Sequence, residues 1–205
     1  MRDEKGFDLW SNEYNESVRK SLHSYPFDGY NDVLDVVYRM VTVKKKKRIL
    51  DVGMGTGVLT QRFYQDSAEI YGIDFSEKML EQARENMPDA VLVKWDFSLG
   101  LPSEFKDKRF DAIVSTYALH HLNDGKKIDL IAELKQSLAP HGMLLIGDVA
   151  FETGEAREKC REEYSEVWDS DEFYMTADTL LYQLKEKGIS ARYRQISSCA
   201  GILEI

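Results

Sequence analysis

A glycine-rich segment follows a short apolar run and is the first place where the residue types could support chemistry. Gly53, Gly55 and Gly57 alternate with other residues, and Asp51 stands two residues before the first glycine. Because glycine has no Cβ, its backbone can turn tightly and approach a ligand closely. A dinucleotide fingerprint has the spacing G-x-G-x-x-G, whereas the third glycine here comes one residue early, with Val58 in its place. The segment therefore predicts a ligand-binding loop and disfavours a nicotinamide dinucleotide.

Two acidic residues follow the next two predicted strands. Asp74 comes directly after the strand 70–73, and Asp96 follows the strand 90–95. A carboxylate at the position of Asp74 can accept hydrogen bonds from both hydroxyls of a ribose. Open α/β sheets bind ligands at the carboxyl ends of their strands, so we expect one nucleoside site there. The alternative is an ordinary strand-to-helix turn in which both aspartates only cap helices.

The run 51–57, D-x-G-x-G-x-G, resembles motif I of the class I, Rossmann-like S-adenosylmethionine-dependent methyltransferases. The run 74–80, D-F-S-E-K-M-L, is similar to the D-x-S-x-x-M-L stretch of that family. The resemblance extends from about residue 7 to 205 and is tightest over 49–148. It points to a small bacterial group whose substrate is unassigned. It implies S-adenosylmethionine as cofactor, with S-adenosylhomocysteine as product.

The resemblance also implies a role for each matching residue. The glycine loop with Asp51 faces the amino-acid and ribose portions of the cofactor, and Asp74 binds the ribose hydroxyls. Asp96 accepts a hydrogen bond from the adenine amino group. The other implied cofactor-binding residues are Phe75, Met79, Phe97 and Ser115, with Trp10 and Tyr14 in an N-terminal cover.

His120 and His121 follow the fourth predicted strand and are candidates for a catalytic base, since histidine titrates near neutral pH. Adjacent residues on an extended segment point to opposite sides, so we expect only one of them to face the acceptor. Alternatively, one packs under the next helix and the other caps it or faces solvent. Tyr14 is the third catalytic candidate. No metal site is predicted, because His23 and His141 are far off in the sequence and no H-x-x-x-H spacing occurs.

The residues 115–118 differ from the [D/N]-P-P-[Y/F] motif of the branch of the family that methylates amino groups. Methylation of DNA adenine or of protein glutamine is therefore disfavoured. No cysteine lies nearby in the sequence, which argues against covalent attack on cytosine C5. We expect a small-molecule acceptor, with catalysis mainly by orientation.

Aromatic residues concentrate near the N-terminus and after the fifth predicted strand. In the family that the chain resembles, both segments fold over the carboxyl edge of the sheet, so we hypothesise a two-part lid. The alternative is that these side chains pack helices against the sheet. The aromatic residues are Phe7, Trp10, Tyr14, Tyr25, Phe27, Tyr30, Phe151, Tyr164, Trp168, Phe173 and Tyr174.

Short apolar runs alternate with segments of helical periodicity, which predicts an α/β fold. The strands and helices of this fold would position the residues named above. We expect a seven-stranded, mostly parallel Rossmann-like sheet with helices on both faces and a C-terminal antiparallel hairpin. Predicted strands are 48–52, 70–73, 90–95, 110–115, 143–146, 191–197 and 201–205, and predicted helices include 28–43, 124–138 and 153–168. One domain, 1–205, is expected, comprising an N-terminal helical cap (1–43), a cofactor-binding core (44–150), a helical lid (151–190) and final strands (191–205).

The formal net charge of −9 disfavours nucleic-acid substrates, whose binding depends on basic surfaces. No apolar run is long enough to span a membrane, and two cysteines without a C-x-x-C pair favour a cytoplasmic location. The sequence does not indicate an oligomeric state. Two other function classes stay open: a non-catalytic module that binds S-adenosylmethionine or S-adenosylhomocysteine, and a nicotinamide-dependent oxidoreductase.

Overall fold

The computed structural model describes residues 24–41 and 47–205, in which strands and helices alternate. The strands are β1 Arg48–Val52, β2 Glu69–Asp74, β3 Val91–Lys94, β4 Phe110–Thr116, β5 Leu138–Phe151, β6 Met175–Thr176, β7 Arg192–Gln195 and β8 Ala200–Glu204. The helices are α1 Tyr30–Met40, α2 Thr60–Gln65, α3 Glu77–Asn86, α4 Ser103–Lys106, α5 Asp124–Gln136, α6 Gly154–Glu163 and α7 Ala177–Glu186. Short 3-10 turns follow β3 and β4, at Phe97–Leu99 and Leu119–His121.

The strands form one sheet in the order β3-β2-β1-β4-β5-β8-β7, and β6 pairs separately with the end of β5. Strands β1 to β5 run parallel, whereas β8 is antiparallel to β5 and β7. The predicted fold class is therefore confirmed, with β6 as one short additional strand. The strand order reverses at β1 and β4, which opens a crevice at their carboxyl ends.

Two buried clusters cover the two faces of the sheet, as expected for strands whose side chains are apolar in succession. Helices α1, α2 and α3 contribute Val37, Phe63 and Leu80 to one cluster. Helices α5 and α7 contribute Ile131 and Leu184 to the other. The prediction of helices on both faces is thus confirmed. None of the helices in the described part of the chain is both long and apolar enough to cross a membrane.

Strand β5 is longer than the predicted strand 143–146, because it begins before Pro140 instead of after it and continues to Phe151. Along β4 the pairing advances from Phe110 to Ala112, while along β5 it advances from Leu138 to Met143. The extra residues form a bulge, so Pro140 does not interrupt the regular ladder. The 153–168 helix prediction was also too long, since α6 ends at Glu163.

Candidate active site

The glycine loop connects β1 to α2 at the crevice between β1 and β4. Gly53, Gly55 and Gly57 have φ values of 71°, 55° and 76°, in the left-handed region that favours glycine. A Cβ on Gly53 would lie 2.5 Å from the Cβ of Ala118, at the end of β4. A Cβ on Gly55 would meet no atom of the described residues within 4 Å. Gly53 therefore permits close backbone packing, and Gly55 leaves open space beside the loop.

Asp74 ends β2 and holds the glycine loop in place. Its Oδ2 accepts a hydrogen bond from the backbone N–H of Gly55 at 2.8 Å. Its Oδ1 accepts one from the N–H of Ser76 at 2.9 Å. Ser76 then caps α3 by accepting from the N–H of Met79. Asp74 therefore connects the glycine loop to the start of α3.

Asp51 is a buried carboxyl group beneath the loop. Its Oδ2 accepts a hydrogen bond from the Thr60 hydroxyl. Its Oδ1 is buried without a hydrogen-bond partner among the described residues, as is the hydroxyl oxygen of Thr56. Burial raises the pKa of Asp51 to about 7, although the Thr60 bond opposes this shift. Such a group favours a cationic partner, which would satisfy the open oxygen and hold the carboxyl ionised.

A cavity of about 280 Å³ opens at the crevice and extends from the glycine loop to the end of β4. It brings most of the predicted site residues together at the carboxyl edge of the sheet. Those that line it are Asp51, Gly53, Gly55, Asp74, Phe75, Met79, Phe97, His120 and His121.

Three predicted cofactor residues are not among the lining residues. A Cβ on Gly57 would point toward Met87 and Met54 on the protein side. Asp96 is exposed and caps the 3-10 turn at Phe97–Leu99 through the N–H of Ser98. Ser115 is buried and donates its hydroxyl to the carbonyl of Val52, which links β4 to β1. Their cofactor roles stay predictions, and Trp10 and Tyr14 lie outside the described residues.

Both histidines line the cavity, so the expectation that only one would face it was wrong. The segment is a 3-10 turn instead of an extended chain, and adjacent residues on a helical turn do not alternate between opposite faces. The His120 and His121 rings lie 4.1 Å apart between centroids. The pair therefore forms the polar end of the cavity.

His120 is oriented by Asp148 on β5. Asp148 accepts from the His120 backbone N–H at 3.0 Å, and its other oxygen lies 2.6 Å from Nδ1 of the ring. Burial lowers the pKa of His120, but the Asp148 carboxylate outweighs burial and the pKa lies above its ordinary value. Burial and the neighbouring His120 lower the pKa of His121 to about 3. His121 is accordingly neutral near pH 7.

The sequence reasoning missed Glu172, Tyr117 and Lys127 as site residues. Glu172 lines the cavity and places its Oε1 3.6 Å from Nε2 of His120. Tyr117 lines it too, with φ 52° and a buried hydroxyl that has no partner among the described residues. The fully buried Lys127 amine bonds the carbonyls of Leu122 and Phe173. Lys127 could have been recognised from the sequence, because it is a charged residue on the apolar face of a predicted helix, where burial requires a hydrogen-bond partner.

Several aromatic side chains also line the cavity, among them Tyr25, Tyr30 and Tyr174. Tyr25 stacks on Trp168 with ring centroids 5.0 Å apart, and its hydroxyl bonds that of Tyr174. Tyr30 and Tyr117 pack with centroids 4.7 Å apart. The described parts of the two predicted lid segments therefore meet across the cavity. They also pack into the core, as the alternative proposed.

Solved structures show the class of fold. The complex of DhpI with SAH superposes with a TM-score of 0.72 at 17% identity, covering 98% of this chain and 93% of that chain. The magnesium protoporphyrin IX methyltransferase ChlM of Synechocystis PCC 6803, solved with bound SAH, gives 0.72 at 17% identity, covering 98% of both chains. The chain has the fold of Rossmann-like methyltransferases.

Sequence relatives then show the family. Residues 49–142 match a family model described as a methyltransferase domain. An uncharacterised methyltransferase of Geobacillus sp. (strain WCH70) is 33% identical, covering 97% of this chain and 94% of the relative. One of Alkaliphilus oremlandii (strain OhILAs) is 33% identical, covering 73% and 68%. The chain belongs to this methyltransferase family, and the predicted enzyme class is confirmed.

Proposed function

We propose that this protein transfers the methyl group of S-adenosylmethionine to a small-molecule acceptor held at the histidine end of the cavity. The observation that supports the proposal most directly is the buried Oδ1 of Asp51 beside the glycine loop, which has no hydrogen-bond partner within residues 24–41 and 47–205. It lies in a cavity that continues to His120, His121 and Glu172. A cation-seeking carboxylate at one end and polar side chains at the other suit a zwitterionic cofactor and a separate acceptor.

The residues present fit the cofactor group by group. Asp51 and Thr56 each offer to the ammonium of its methionine portion an oxygen that no described residue binds. Asp74 lines the cavity, and its carboxylate is the type of acceptor that ribose hydroxyls bind. Phe75 and Met79 line the cavity on the side of α3 and suit a flat apolar base. When bound, the cofactor supplies a methyl group already activated on a sulfonium sulfur.

The chain then acts mainly by orientation and by exclusion of water. Aligning a nucleophile with an activated carbon can contribute roughly 7–11 kcal/mol without acid or base chemistry. The rings of Tyr25 and Tyr174 line the cavity and pack against Trp168, and this cluster would limit the access of solvent. For an acceptor that must lose a proton, we propose His120, one of the two predicted histidine candidates, as the base, because Asp148 holds its Nδ1 and orients the ring.

The other function classes are less well supported. Family membership and the glycine spacing disfavour a nicotinamide-dependent oxidoreductase. A non-catalytic binding module would not need the ordered histidine end of the cavity. The net charge of −9 supports a small molecule over a nucleic acid as acceptor. Both cysteines are free and buried, which supports the cytoplasmic location.

The test is calorimetric titration of S-adenosylmethionine, S-adenosylhomocysteine and NADH into the wild type and Asp74→Asn. We expect the two sulfur ligands to bind and the substitution to weaken them at least about tenfold, through loss of charge-assisted bonds of roughly 1.5–3 kcal/mol. The control is Asp129→Asn, on the exposed side of α5. Methyl transfer is then assayed with labelled cofactor and fractionated small metabolites. Binding of NADH alone would overturn the proposal.

A further inference from the structure

Three side chains with metal-ligating atoms converge at the histidine end of the cavity. One ligand atom each from His120, His121 and Glu172 lies within 4.8 Å of the others. Nε2 of His120 and Oε1 of Glu172 are 3.6 Å apart. With metal–ligand bonds of about 2.0–2.1 Å, two ligands of a tetrahedral zinc ion are separated by roughly 3.3 Å. The His120–Glu172 spacing therefore needs only a small adjustment to accept one ion, and the 4.8 Å limit on the distances to His121 requires at most a shift of roughly 1.5 Å.

Two of these ligands are also oriented by further polar contacts. Nδ1 of His120 lies 2.6 Å from a carboxylate oxygen of Asp148. Oε2 of Glu172 accepts a hydrogen bond from the Tyr174 hydroxyl at 2.7 Å. A metal-binding histidine characteristically donates its other ring N–H to a carboxylate, which fixes the tautomer and the ring direction. Nε2 of His120 and Oε1 of Glu172 are thus the atoms left to face a common point.

Hydrogen bonds connect the two backbone segments that carry the proposed ligands. The N–H of Phe173 donates to the carbonyl of His120 at 2.8 Å. The buried amine of Lys127 donates to the carbonyls of Leu122 and Phe173 at 2.7 and 2.5 Å. The histidine turn and the Glu172 segment, which are distant in sequence, are therefore held as one unit. Histidine spacing in the sequence does not indicate that Glu172 lies beside His120, because the two residues are remote in the chain.

We infer that His120, His121 and Glu172 form a binding site for a divalent transition-metal ion of the zinc type. Two imidazoles and one carboxylate are a donor set that such ions accept, and three protein ligands leave a coordination position open. That position faces the cavity, because all three residues line it.

This inference rests on the proposed function for its consequence. The open position would bind the acceptor through its own nucleophilic atom, a thiol sulfur or an acidic hydroxyl oxygen. Coordination lowers the pKa of the bound group, so its proton leaves to solvent as the metal–sulfur or metal–oxygen bond forms. The anion then attacks the methyl carbon. The new bond to carbon forms as the carbon–sulfonium bond breaks, and that electron pair goes to the departing S-adenosylhomocysteine sulfur. With the ion bound, the metal and not His120 would activate the acceptor, and His120 would act as a metal ligand.

The test uses tag-free, EDTA-treated and dialysed protein titrated with Co²⁺, whose visible absorption reports coordination, followed by competition with Zn²⁺. We expect one equivalent to bind, Zn²⁺ to displace it, and Glu172→Gln and His121→Asn each to weaken it at least tenfold. The matched control, His141→Asn, removes an exposed histidine at a left-handed position that asparagine tolerates and should leave binding unchanged. Thermal unfolding checks that each variant is folded.

Titration of S-adenosylhomocysteine into the same samples separates this inference from the proposed function. Glu172→Gln should bind Co²⁺ at least tenfold more weakly while keeping its S-adenosylhomocysteine affinity. Failure of the wild type to bind Co²⁺, with normal S-adenosylhomocysteine binding, would overturn the metal site alone. So would equal Co²⁺ affinity in the wild type and Glu172→Gln. Co²⁺ binding without any S-adenosylhomocysteine binding would support the site and overturn the proposed function.

Discussion

At the scale of single residues, Asp51 shows a conflict between stability and binding. It is almost fully buried, and one of its oxygens lacks a partner among the described residues. A carboxyl group with a raised pKa makes the folded state less stable as the pH rises from its unfolded value of 3.8 to about 7. Its retention beneath the loop is understandable if a ligand cation compensates for that cost.

Asp51→Asn should therefore stabilise the free protein and weaken the cofactor. The difference in unfolding free energy between variant and wild type should grow from pH 4 to pH 7 and level off above, reaching roughly 2–4 kcal/mol. Denaturant unfolding at several pH values measures it. Calorimetry should show S-adenosylhomocysteine affinity rising from pH 5.5 to 7.5 in the wild type, as Asp51 ionises, and a flatter profile in the variant. Equal affinity in both proteins would exclude Asp51 as the ammonium partner.

At the scale of elements, the loop after β1 combines a left-handed backbone with close packing. Gly53→Ala forces a Cβ against Ala118 at a φ of 71°. We expect a loss of stability of roughly 2–4 kcal/mol, from the left-handed strain and the overlap together. Gly154→Ala is the matched control, because a Cβ there would meet no atom of the described residues within 4 Å. Chemical denaturation measures the free energy of unfolding of the two variants. Equal values would contradict the packing argument.

Lys127 connects α5 to the segment that carries Glu172. Lys127→Met fills similar volume but leaves the carbonyls of Leu122 and Phe173 without their donor, at an expected cost of roughly 2–4 kcal/mol. Hydrogen exchange over residues 169–174 should accelerate in this variant. Lys126→Met, at the exposed neighbouring position, should change neither quantity. Unaltered exchange in Lys127→Met would show that the amine does not hold the segment.

At the scale of the whole molecule, ligand binding should raise thermal stability. At a ligand concentration of about 100 times Kd, a single site adds roughly 2.7 kcal/mol. For a chain of this length, that corresponds to an increase in Tm of about 5–10 °C. Differential scanning fluorimetry with S-adenosylhomocysteine measures it, with Asp74→Asn at the same ligand concentration as control. A shift of equal size in the variant would argue against binding at β2.

The sequence predicted the sheet and the place of the glycine loop after β1 well, because both follow from local patterns. Apolar runs that end in glycine or aspartate mark β1 and β2 without reference to the rest of the chain. The histidine end of the cavity could not be predicted in the same way. Glu172 approaches His120 only because Lys127 and the Phe173 backbone hold two remote segments together. Hydrogen bonds between remote residues leave no periodicity to recognise.

The bond between Asp74 and the Gly55 N–H has a kinetic consequence. The carboxylate proposed to bind the ribose already holds the loop in its tight conformation. The conformational entropy of ordering the loop is thus lost during folding and not when the ligand arrives. A ligand that meets such a preorganised site needs little further rearrangement of the loop, so association should follow a single fast phase. Asp74→Asn should slow that phase as well as speed dissociation, because the loop must then order during the encounter.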